Sequence, residues 1–326
     1  MKSTNILLFG DFGIDDFVAV IFSFFSEKLN VVGIVAEYGN VSKEDALKNA
    51  AFLQSLTGTD IIPTFGGAGL PLTGVKPPYY PEVHGFEGLG PFDSGMEVNP
   101  NIFENFNEIV PLIEQYKNDL VIVNIGRLSS LATAFILYPN LMKSVNDFYI
   151  MGGAFNVPGN VTPIAEANFY GDPYAAKILI NEAPKKIHII PLDVTMSAII
   201  TPSIMDSLHE YYLKTNNQAG LVLRDMVDYY YSFYKTTNPG ISGSPLHDVF
   251  TLWAIQEPTE IIYKEVPVQV VVDQGIAFGQ SIGDFRKVPD LKSEEYKVHK
   301  VAVQFNYSSF IKTFYETMKN EGGKMA

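Results

Sequence analysis

Short, almost wholly apolar runs alternate along the chain with longer segments in which apolar residues recur every three or four positions. The short runs are rich in Val, Ile and Leu, which indicates buried β-strands, and the longer segments have the periodicity of amphipathic helices. Near-continuous apolar strands separated by helices are typical of a parallel sheet covered on both faces. The predicted strands are 5–10 (NILLFG), 30–39 (NVVGIVAEYG), 60–67 (DIIPTFGG), 119–126 (DLVIVNIG), 147–153 (DFYIMGG) and 186–194 (KIHIIPLDV).

Helices are predicted between these strands, and two further strands follow late in the chain. The helical segments are 15–28, 42–58, 129–142 and 172–184, and the late apolar runs are 266–275 and 299–306. Because no repeat or linker rich in Pro, Gly and Ser interrupts the chain, we expect residues 1–326 to form a single α/β domain. We expect an open, mostly parallel sheet with helices on both faces and an active site at the C-terminal ends of the strands.

Composition excludes several classes of protein. Thirty-six acidic residues against 23 basic ones give a formal charge of −13, which argues against nucleic acid or an anionic membrane surface as a partner. The absence of Cys excludes disulfides, thiolate metal sites and cysteine nucleophiles. The N-terminus lacks the features of a signal peptide, and no apolar run approaches the roughly 18 residues of a membrane span, so we expect a cytoplasmic protein.

Polar side chains follow several of the predicted strands at the point where each strand ends. Asp11 follows the first strand, Asn40 the second and Asn124 the fourth, while Asn168 and Asp193 follow the next two. Because the C-terminal ends of parallel strands meet at one edge of the sheet, we expect these groups to share a ligand site there.

Three carboxylates, Asp11, Asp15 and Asp16, lie within six residues between two segments that should be buried. Acidic residues at a helix N-terminus are often simple caps, which is one interpretation of Asp15 and Asp16. Capping does not explain Asp11, which lies on the strand side of the turn. Since like charges repel unless a cation lies between them, the second interpretation is an oxygen-only site for Ca²⁺ or Mg²⁺.

Four motifs occur in an order that resembles the inosine–uridine-preferring nucleoside hydrolase family. They are GDFGIDDFVAV from residue 10, YGNVS from residue 38, MGGAFNVPGNVTPIAEANFYGDPYAA from residue 151 and PLHDVF from residue 245. The resemblance implies a single Rossmann-like domain that uses bound Ca²⁺ to hydrolyse the N-glycosidic bond of ribonucleosides. It also implies a homotetramer or homodimer, and a role in purine or pyrimidine salvage.

The resemblance also assigns site residues by position. It implies a metal site made by Asp11, Asp16, the backbone carbonyl of Ile125 and Asp248, with Asp11 also acting as the general base toward water. It implies ribose contacts from Asp15 to the 2′-hydroxyl, from Asn160 and Glu166 to the 5′-hydroxyl, from Asn168 to the 2′/3′-hydroxyls, and from Asn40 in the wall of the pocket.

Histidine and tyrosine side chains are the candidates for the leaving-group side. The resemblance implies that His247 is the general acid and that His84, in the Gly-rich VHGFEGLG segment, lies beside the base. Tyr231 and Tyr234, three residues apart on a predicted helix, are expected to share the face that closes over the base. For each tyrosine, packing on the core is the alternative interpretation.

Four positions depart from the pattern usual in the family. Phe9 stands where another Asp is common, which puts metal affinity and the orientation of Asp11 in question. Phe12 replaces a usual Pro, which we expect to loosen the turn. Arg127, in IGRLSS where the family usually has TGPLTN, is either a structural ion-pair partner or a residue that tunes an unusual substrate. Ala167 replaces a commonly larger residue, which we expect to enlarge the pocket.

The preferred hypothesis is therefore hydrolysis of purine or pyrimidine ribonucleosides. The first alternative is the same reaction on a modified nucleoside, favoured by Phe9, Arg127 and Ala167. The second is a non-catalytic binder of nucleoside or ribose, against which the retained carboxylates argue. A phosphatase with an aspartyl nucleophile would need an Asp-x-Asp motif in the first loop, and Phe9-Gly10-Asp11 lacks it.

Overall fold

Parallel strands form the centre of the fold, as the computed structural model shows for residues 3–59, 62–98, 105–288 and 296–320. The strands are β1 (Thr4–Gly10), β2 (Leu29–Ala36), β3 (Thr64–Gly66), β4 (Leu120–Asn124), β5 (Asp147–Met151), β6 (His188–Ile190), β7 (Ile199–Ile200), β8 (Ser244–Pro245), β9 (Ile261–Val270), β10 (Ser281–Gly283) and β11 (Val298–Phe305).

The helices follow the strands in the alternation expected of an α/β protein. They are α1 (Ile14–Phe25), α2 (Lys43–Thr57), α3 (Pro81–His84), α4 (Ile109–Tyr116), α5 (Ser129–Leu137), α6 (Pro139–Met142), α7 (Ala167–Gly171), α8 (Pro173–Glu182), α9 (Leu192–Thr195), α10 (Pro202–Thr215), α11 (Gln218–Leu221), α12 (Leu223–Thr237), α13 (His247–Gln256) and α14 (Tyr307–Met318).

Within the described ranges, nine strands form one sheet in the order β10-β9-β11-β6-β5-β4-β1-β2-β3. The pairs from β3 to β11 are parallel, whereas β9 pairs antiparallel with both β11 and β10. The two late strands therefore extend the parallel sheet with an antiparallel edge. Strands β7 and β8 form a separate two-stranded sheet.

The predicted fold class is confirmed, with differences at element ends. The predicted helix 129–142 is two helices, because Pro139 begins α6 and removes an N–H donor from the preceding turn. The predicted third strand began at residue 60; residues 60 and 61 lie outside the described ranges, and β3 begins at Thr64. The first late strand begins earlier than expected, at Ile261.

Both faces of the sheet are covered, because successive side chains of a strand point to opposite sides. On β1, Leu8 packs in the apolar cluster that contains α1, α12 and α13, whereas Leu7 and Phe9 pack in the cluster that contains α5 and α8. Phe9 is thus a core residue. In the described part of the chain, no helix is long and apolar enough to cross a membrane.

Helix α1 is buried along its whole length, so the acidic residues in its first turn are buried as well. All twelve of its residues are buried, including Asp15 and Asp16 in the first turn. The helix packs against α13, whose own first turn carries His247 and Asp248. Two buried helix N-termini therefore meet above the C-terminal end of β1.

Aromatic packing anchors α13, and its removal is expected to destabilise the fold. Phe250 is fully buried, with its ring centroid 4.7 Å from that of Phe305 and 5.3 Å from that of Trp253. We expect Phe250→Ala to lower the free energy of unfolding by about 3–5 kcal/mol in urea titrations. The control is Phe86→Ala, whose side chain is 93% exposed and whose loss should change stability by less than about 0.5 kcal/mol. Equal losses for the two variants would contradict this assignment of the core.

Candidate active site

A cavity of about 590 Å³ opens beyond the C-terminal ends of the parallel strands, a volume suited to a small-molecule ligand. Asp11 and Asp16, both almost wholly buried, lie beneath its surface. Ten of the sequence-predicted site residues line it: Asp15, Asn40, His84, Ile125, Asn160, Glu166, Asn168, Tyr234, His247 and Asp248.

The turn between β1 and α1 is held by the carboxylate of Asp16. Its two oxygens accept hydrogen bonds from the backbone N–H of Asp11 (3.1 Å) and of Gly13 (3.0 Å). Capping is therefore part of the role of Asp16. The turn is not loosened at Phe12, whose side chain is fully buried and whose φ is 49°, a left-handed conformation that proline does not adopt.

Three carboxylates converge at the floor of the cavity. Asp15, Asp16 and Asp248 each offer an oxygen, and these oxygens lie within 4.8 Å of one another. Burial, and then the neighbouring carboxylates, raise the pKa of all three, that of Asp15 to about 6. One oxygen of Asp15, Oδ1, is buried with no hydrogen-bond partner. This donor set, made only of hard oxygen ligands and lacking a counter-charge, fits a hard divalent cation.

Asp11 lies beside this group, with its carboxylate turned toward Asn40. Its Oδ2 accepts from the backbone N–H of Asn40 (2.6 Å), and its Oδ1 accepts from the side-chain amide of the same residue (3.3 Å). Gly39 permits this approach, because a Cβ there would lie 1.8 Å from Asp11 Oδ2. Asp11 and Asn40 therefore form one oriented pair.

The residues predicted to bind the sugar are held in place by hydrogen bonds from backbone N–H groups. Glu166 caps α7, and its carboxylate accepts from the backbone N–H groups of Asn168 (2.8 Å), Phe169 (3.1 Å) and Gly153 (2.9 Å). Burial raises the pKa of Glu166, and these N–H groups oppose the rise. The Asn160 side chain accepts from the backbone N–H of Ala167 at 2.9 Å. The carboxylate and the amides are thus fixed before any ligand binds.

The carbonyl of Ile125 faces the same region. It accepts a hydrogen bond from the Asn168 side chain at 3.0 Å, and Arg127 donates to the other end of that side chain at 2.6 Å. A carbonyl oxygen has two lone pairs, so this contact leaves one for a further partner. Arg127 is buried and lines the cavity.

A chain of hydrogen bonds crosses the opposite wall, from Thr195 to Asp15. Thr195 Oγ1 lies 2.7 Å from His247 Nδ1, His247 Nε2 lies 2.8 Å from the Tyr234 hydroxyl, and the Tyr234 and Tyr230 hydroxyls are 3.3 Å apart. The Tyr230 hydroxyl donates to Asp15 Oδ2 at 3.2 Å. Because each hydroxyl has one hydrogen, this last bond orients the others, so that His247 carries a hydrogen on Nε2. Burial lowers the pKa of His247 to about 4.

The structure places one of the two predicted tyrosines in the cavity wall. Tyr234 lines the cavity, but the Tyr231 side chain turns away and donates to the carbonyl of Ile241 at 2.9 Å. Tyr230, four residues before Tyr234, takes the place expected for Tyr231. Both spacings bring side chains together on a helix, so the sequence DYYYSFY does not by itself distinguish between them.

His84 lies between the turn and this wall. Its Nδ1 accepts from the backbone N–H of Ile14 at 3.1 Å, so that in the neutral ring Nε2 carries the hydrogen. The ring centroid is 5.3 Å from that of Tyr230. Burial lowers the pKa of His84 to about 3, so it enters the site as a neutral donor.

Sequence reasoning missed Glu37, Tyr80, Thr195 and Tyr230. Glu37 is buried at the end of β2, where one of its oxygens accepts from Ser130 N (3.0 Å) and Oγ (2.7 Å) and the other has no partner. Burial raises the pKa of Glu37 to about 8. The signal was available, because Glu37 follows an apolar strand just as Asp11 does.

Comparison with known proteins decides the family. Residues 6–312 match the family described as inosine-uridine preferring nucleoside hydrolase. The chain belongs to this family. Uridine nucleosidase 1 of Arabidopsis thaliana is 31% identical over 290 residues, 87% of this chain and 82% of the plant protein. The inosine-uridine preferring nucleoside hydrolase of Crithidia fasciculata is 27% identical over 94% of each chain. The solved plant nucleoside hydrolase PpNRh1 has a TM-score of 0.88 and 28% identity, covering 98% of this chain and 99% of its own.

This nucleoside hydrolase is therefore an enzyme that hydrolyses the N-glycosidic bond of ribonucleosides. The resemblance drawn from the four motifs is confirmed across nearly the whole chain. The buried carboxylates at the floor of the cavity fit the metal-dependent chemistry of the family.

Without a divalent cation, this nucleoside hydrolase should lose stability as pH rises. Folded Asp15 keeps its proton to about pH 6, whereas the unfolded residue releases it near its reference value of 3.8. Between these values the folded state binds more protons, so its free energy of unfolding falls with increasing pH. In chelator, we expect Asp15→Asn to be more stable than wild type at pH 8 and to lose this advantage by pH 4. A free energy of unfolding for Asp15→Asn that differs from that of wild type by the same amount at pH 4 and at pH 8 would contradict the repulsion.

Proposed function

We propose that the enzyme binds one Ca²⁺ through Asp11, Asp16, Asp248 and the Ile125 carbonyl, and cleaves a ribonucleoside whose sugar contacts Asp15. The convergence of the buried carboxylates of Asp15, Asp16 and Asp248 is the observation that carries the proposal. Asp11, whose carboxylate is bonded to Asn40 beside this group, is included because the family resemblance implies it as a ligand. When bound, the cation supplies charge neutralisation at the cluster and lowers the pKa of water.

Asp11 is proposed to accept the proton of the attacking water. Its two hydrogen bonds from Asn40 fix the direction of the carboxylate, and a base held in one orientation needs no rearrangement at the moment of reaction. Asp15, with one oxygen free of partners, is proposed to accept from the ribose 2′-hydroxyl. Asn40, Asn160, Glu166 and Asn168 complete the proposed sugar site.

The carboxylates serve a second purpose as the bond to the base breaks. N-glycoside hydrolysis builds positive charge on the sugar, in an oxocarbenium-like transition state. Carboxylates fixed at the floor of the cavity stabilise that charge without reorganisation.

The departing base is proposed to receive its proton from the wall formed by His84, Tyr230, Tyr234 and His247. Each of these groups is neutral and buried. The chain from Thr195 to Asp15 orients the hydrogens of His247, Tyr234 and Tyr230, and the Ile14 N–H fixes the tautomer of His84. We retain His247 as the proposed acid: once the ring has taken up a proton from solvent, the imidazolium passes one proton through the Tyr234 hydroxyl to the departing base and returns to the neutral form. Tyr231 is not proposed as a contact of the base, because its hydroxyl is bonded to Ile241.

We further propose a cytoplasmic homodimer or homotetramer that serves purine or pyrimidine salvage. A modified nucleoside is the second candidate substrate, favoured by two features of the cavity. Arg127 places a cation in a lining whose other charged groups are carboxylates, and Ala167 contributes a small side chain to the same lining.

A screen for released ribose tests the proposal directly. Purified enzyme should hydrolyse inosine, uridine or another ribonucleoside, should lose activity in chelator, and should regain it with Ca²⁺ more fully than with Zn²⁺. Asp11→Asn should lower kcat by about 10²–10⁴-fold, because it removes the proton acceptor, and should leave the melting temperature near that of wild type. Chelator-resistant turnover, or near-full activity of Asp11→Asn, would overturn the assignments.

Leaving-group dependence tests His247. His247→Ala should slow hydrolysis of inosine, whose base needs a proton, and should spare nitrophenyl riboside, whose leaving group does not. The matched control is His299→Ala, which removes a buried histidine bonded to Ile180 and Ile187, far along the chain from this wall; it should treat the two substrates alike. An equal loss on both substrates for His247→Ala would assign the residue to support of Asp248.

A further inference from the structure

Arg127 is a buried cation with a defined partner. Its side chain is 2% exposed, it lines the cavity, and its Nη1 donates to Asn168 Oδ1 at 2.6 Å, a short distance typical of a charge-assisted bond. Its backbone is fixed as well, because the Asn124 side chain donates to the Arg127 carbonyl at 3.0 Å. Arg127 is thus held at its guanidinium by Asn168 and at its backbone carbonyl by Asn124.

Gly171, at the end of α7, makes room for this side chain. A Cβ at that position would lie 2.4 Å from Arg127 Cδ and 2.5 Å from its Nε. These distances are too short for any non-bonded contact, so the position of the guanidinium depends on the missing side chain. Arg127 therefore fits a slot formed by a second element of the fold.

The contacts of Asn168 fix which way its amide points. Its NH₂ group donates to the carbonyls of Ile125 (3.0 Å) and Met151 (3.2 Å), while its oxygen accepts from Arg127. Both hydrogens and one lone pair of the oxygen are therefore used. On the cavity side, Asn168 can therefore form only one further hydrogen bond, in which its oxygen is the acceptor.

We propose that Arg127 is a positioning residue that holds Asn168 as an acceptor, so that the site selects a sugar with a hydroxyl that can donate there. The proposal rests on the proposed sugar site. A sugar lacking that hydroxyl leaves the buried Asn168 oxygen short of one partner, which is costly. Arg127 sets the size of that penalty by holding the oxygen end of the amide in place.

The alternative is that Arg127 only offsets the charge of the acidic groups near it, Asp11 and Glu166 among them. A general counter-charge would affect every substrate alike. A residue acting through Asn168 would affect only substrates that carry the matching hydroxyl. Substrate comparison therefore separates the two roles.

The experiment measures kcat and KM on a ribonucleoside and on its 2′-deoxy and 3′-deoxy forms. The variants are Arg127→Met, Arg127→Lys, Gly171→Ala, Asn168→Ala and the double variant Arg127→Met with Asn168→Ala. Arg224→Met, which removes an exposed arginine paired with Asp206, is the matched control. Melting temperatures report whether each variant folds.

We expect Arg127→Met to lower kcat/KM on the ribonucleoside by about 10- to 100-fold, the range for loss of a hydrogen bond to a charged group. The loss should be smaller on one deoxy substrate, the same one for which Asn168→Ala loses least. The double variant should lose no more kcat/KM than Asn168→Ala alone. Arg127→Lys should retain part of the kcat/KM that Arg127→Met loses. Gly171→Ala should change the ratio of kcat/KM between the ribonucleoside and the deoxy substrate in the same direction as Arg127→Met. Arg224→Met should match wild type.

Equal losses on all three substrates, or additive losses in the double variant, would overturn the inference while leaving nucleoside hydrolysis intact. Calorimetric binding of free ribose gives a readout independent of turnover, in which Arg127→Met should weaken binding by at least about tenfold. Wild-type enzyme that neither hydrolyses nucleosides nor binds ribose would instead reject the proposed function, and this inference with it. If Arg127→Met does not fold, Arg127→Lys and Gly171→Ala decide the same question.

Discussion

Repulsion among the carboxylates of Asp15, Asp16 and Asp248 is the interaction on which the rest of the site depends. Two buried helices begin at the same edge of the sheet, and their first turns bring two acidic residues from α1 and one from α13. Taking charged groups out of water is costly unless they are paired, and these carboxylates face one another. A cation between them would offset this cost, and in its absence the cost favours uptake of protons, which is why the pKa values of these carboxyl groups are raised.

Hydrogen bonds from the surrounding structure hold the acidic side chains of the site in place against this repulsion. Asp16 is tied to backbone N–H groups of its own turn, Asp11 to Asn40, and Glu166 to the start of α7. Gly39 removes the side chain that would block one of these contacts. The energy for holding them comes from the two apolar clusters on either side of the sheet, and α1 and α13 pack together in one of these clusters.

The sequence predicted the position of the site best where acidic residues directly follow a predicted strand. Asp11, Asp15 and Asp16 stand out because acids interrupt an apolar pattern, and parallel strands deliver their ends to one edge. The same reasoning did not reach Tyr230, since helical spacing admits neighbours at three and at four residues. Nor could it give the direction of the Asn168 amide, which depends on carbonyls of Ile125 and Met151 brought together by two strands and on a cation fitted against Gly171. Contacts of this kind require the folded structure.

The hydrogen-bond chain between Thr195 and Asp15 has a consequence for how the two ends of the cavity communicate. While Asp15 is ionised, every hydrogen in the chain points toward it, and the neutral ring of His247 carries its hydrogen on Nε2. If Asp15 takes up a proton and donates it to Tyr230, each bond reverses, and the hydrogen of His247 moves to Nδ1. The charge on one carboxylate at the sugar end thus selects the tautomer of an imidazole at the base end, a change that ¹⁵N chemical shifts of His247 would report without any movement of the backbone.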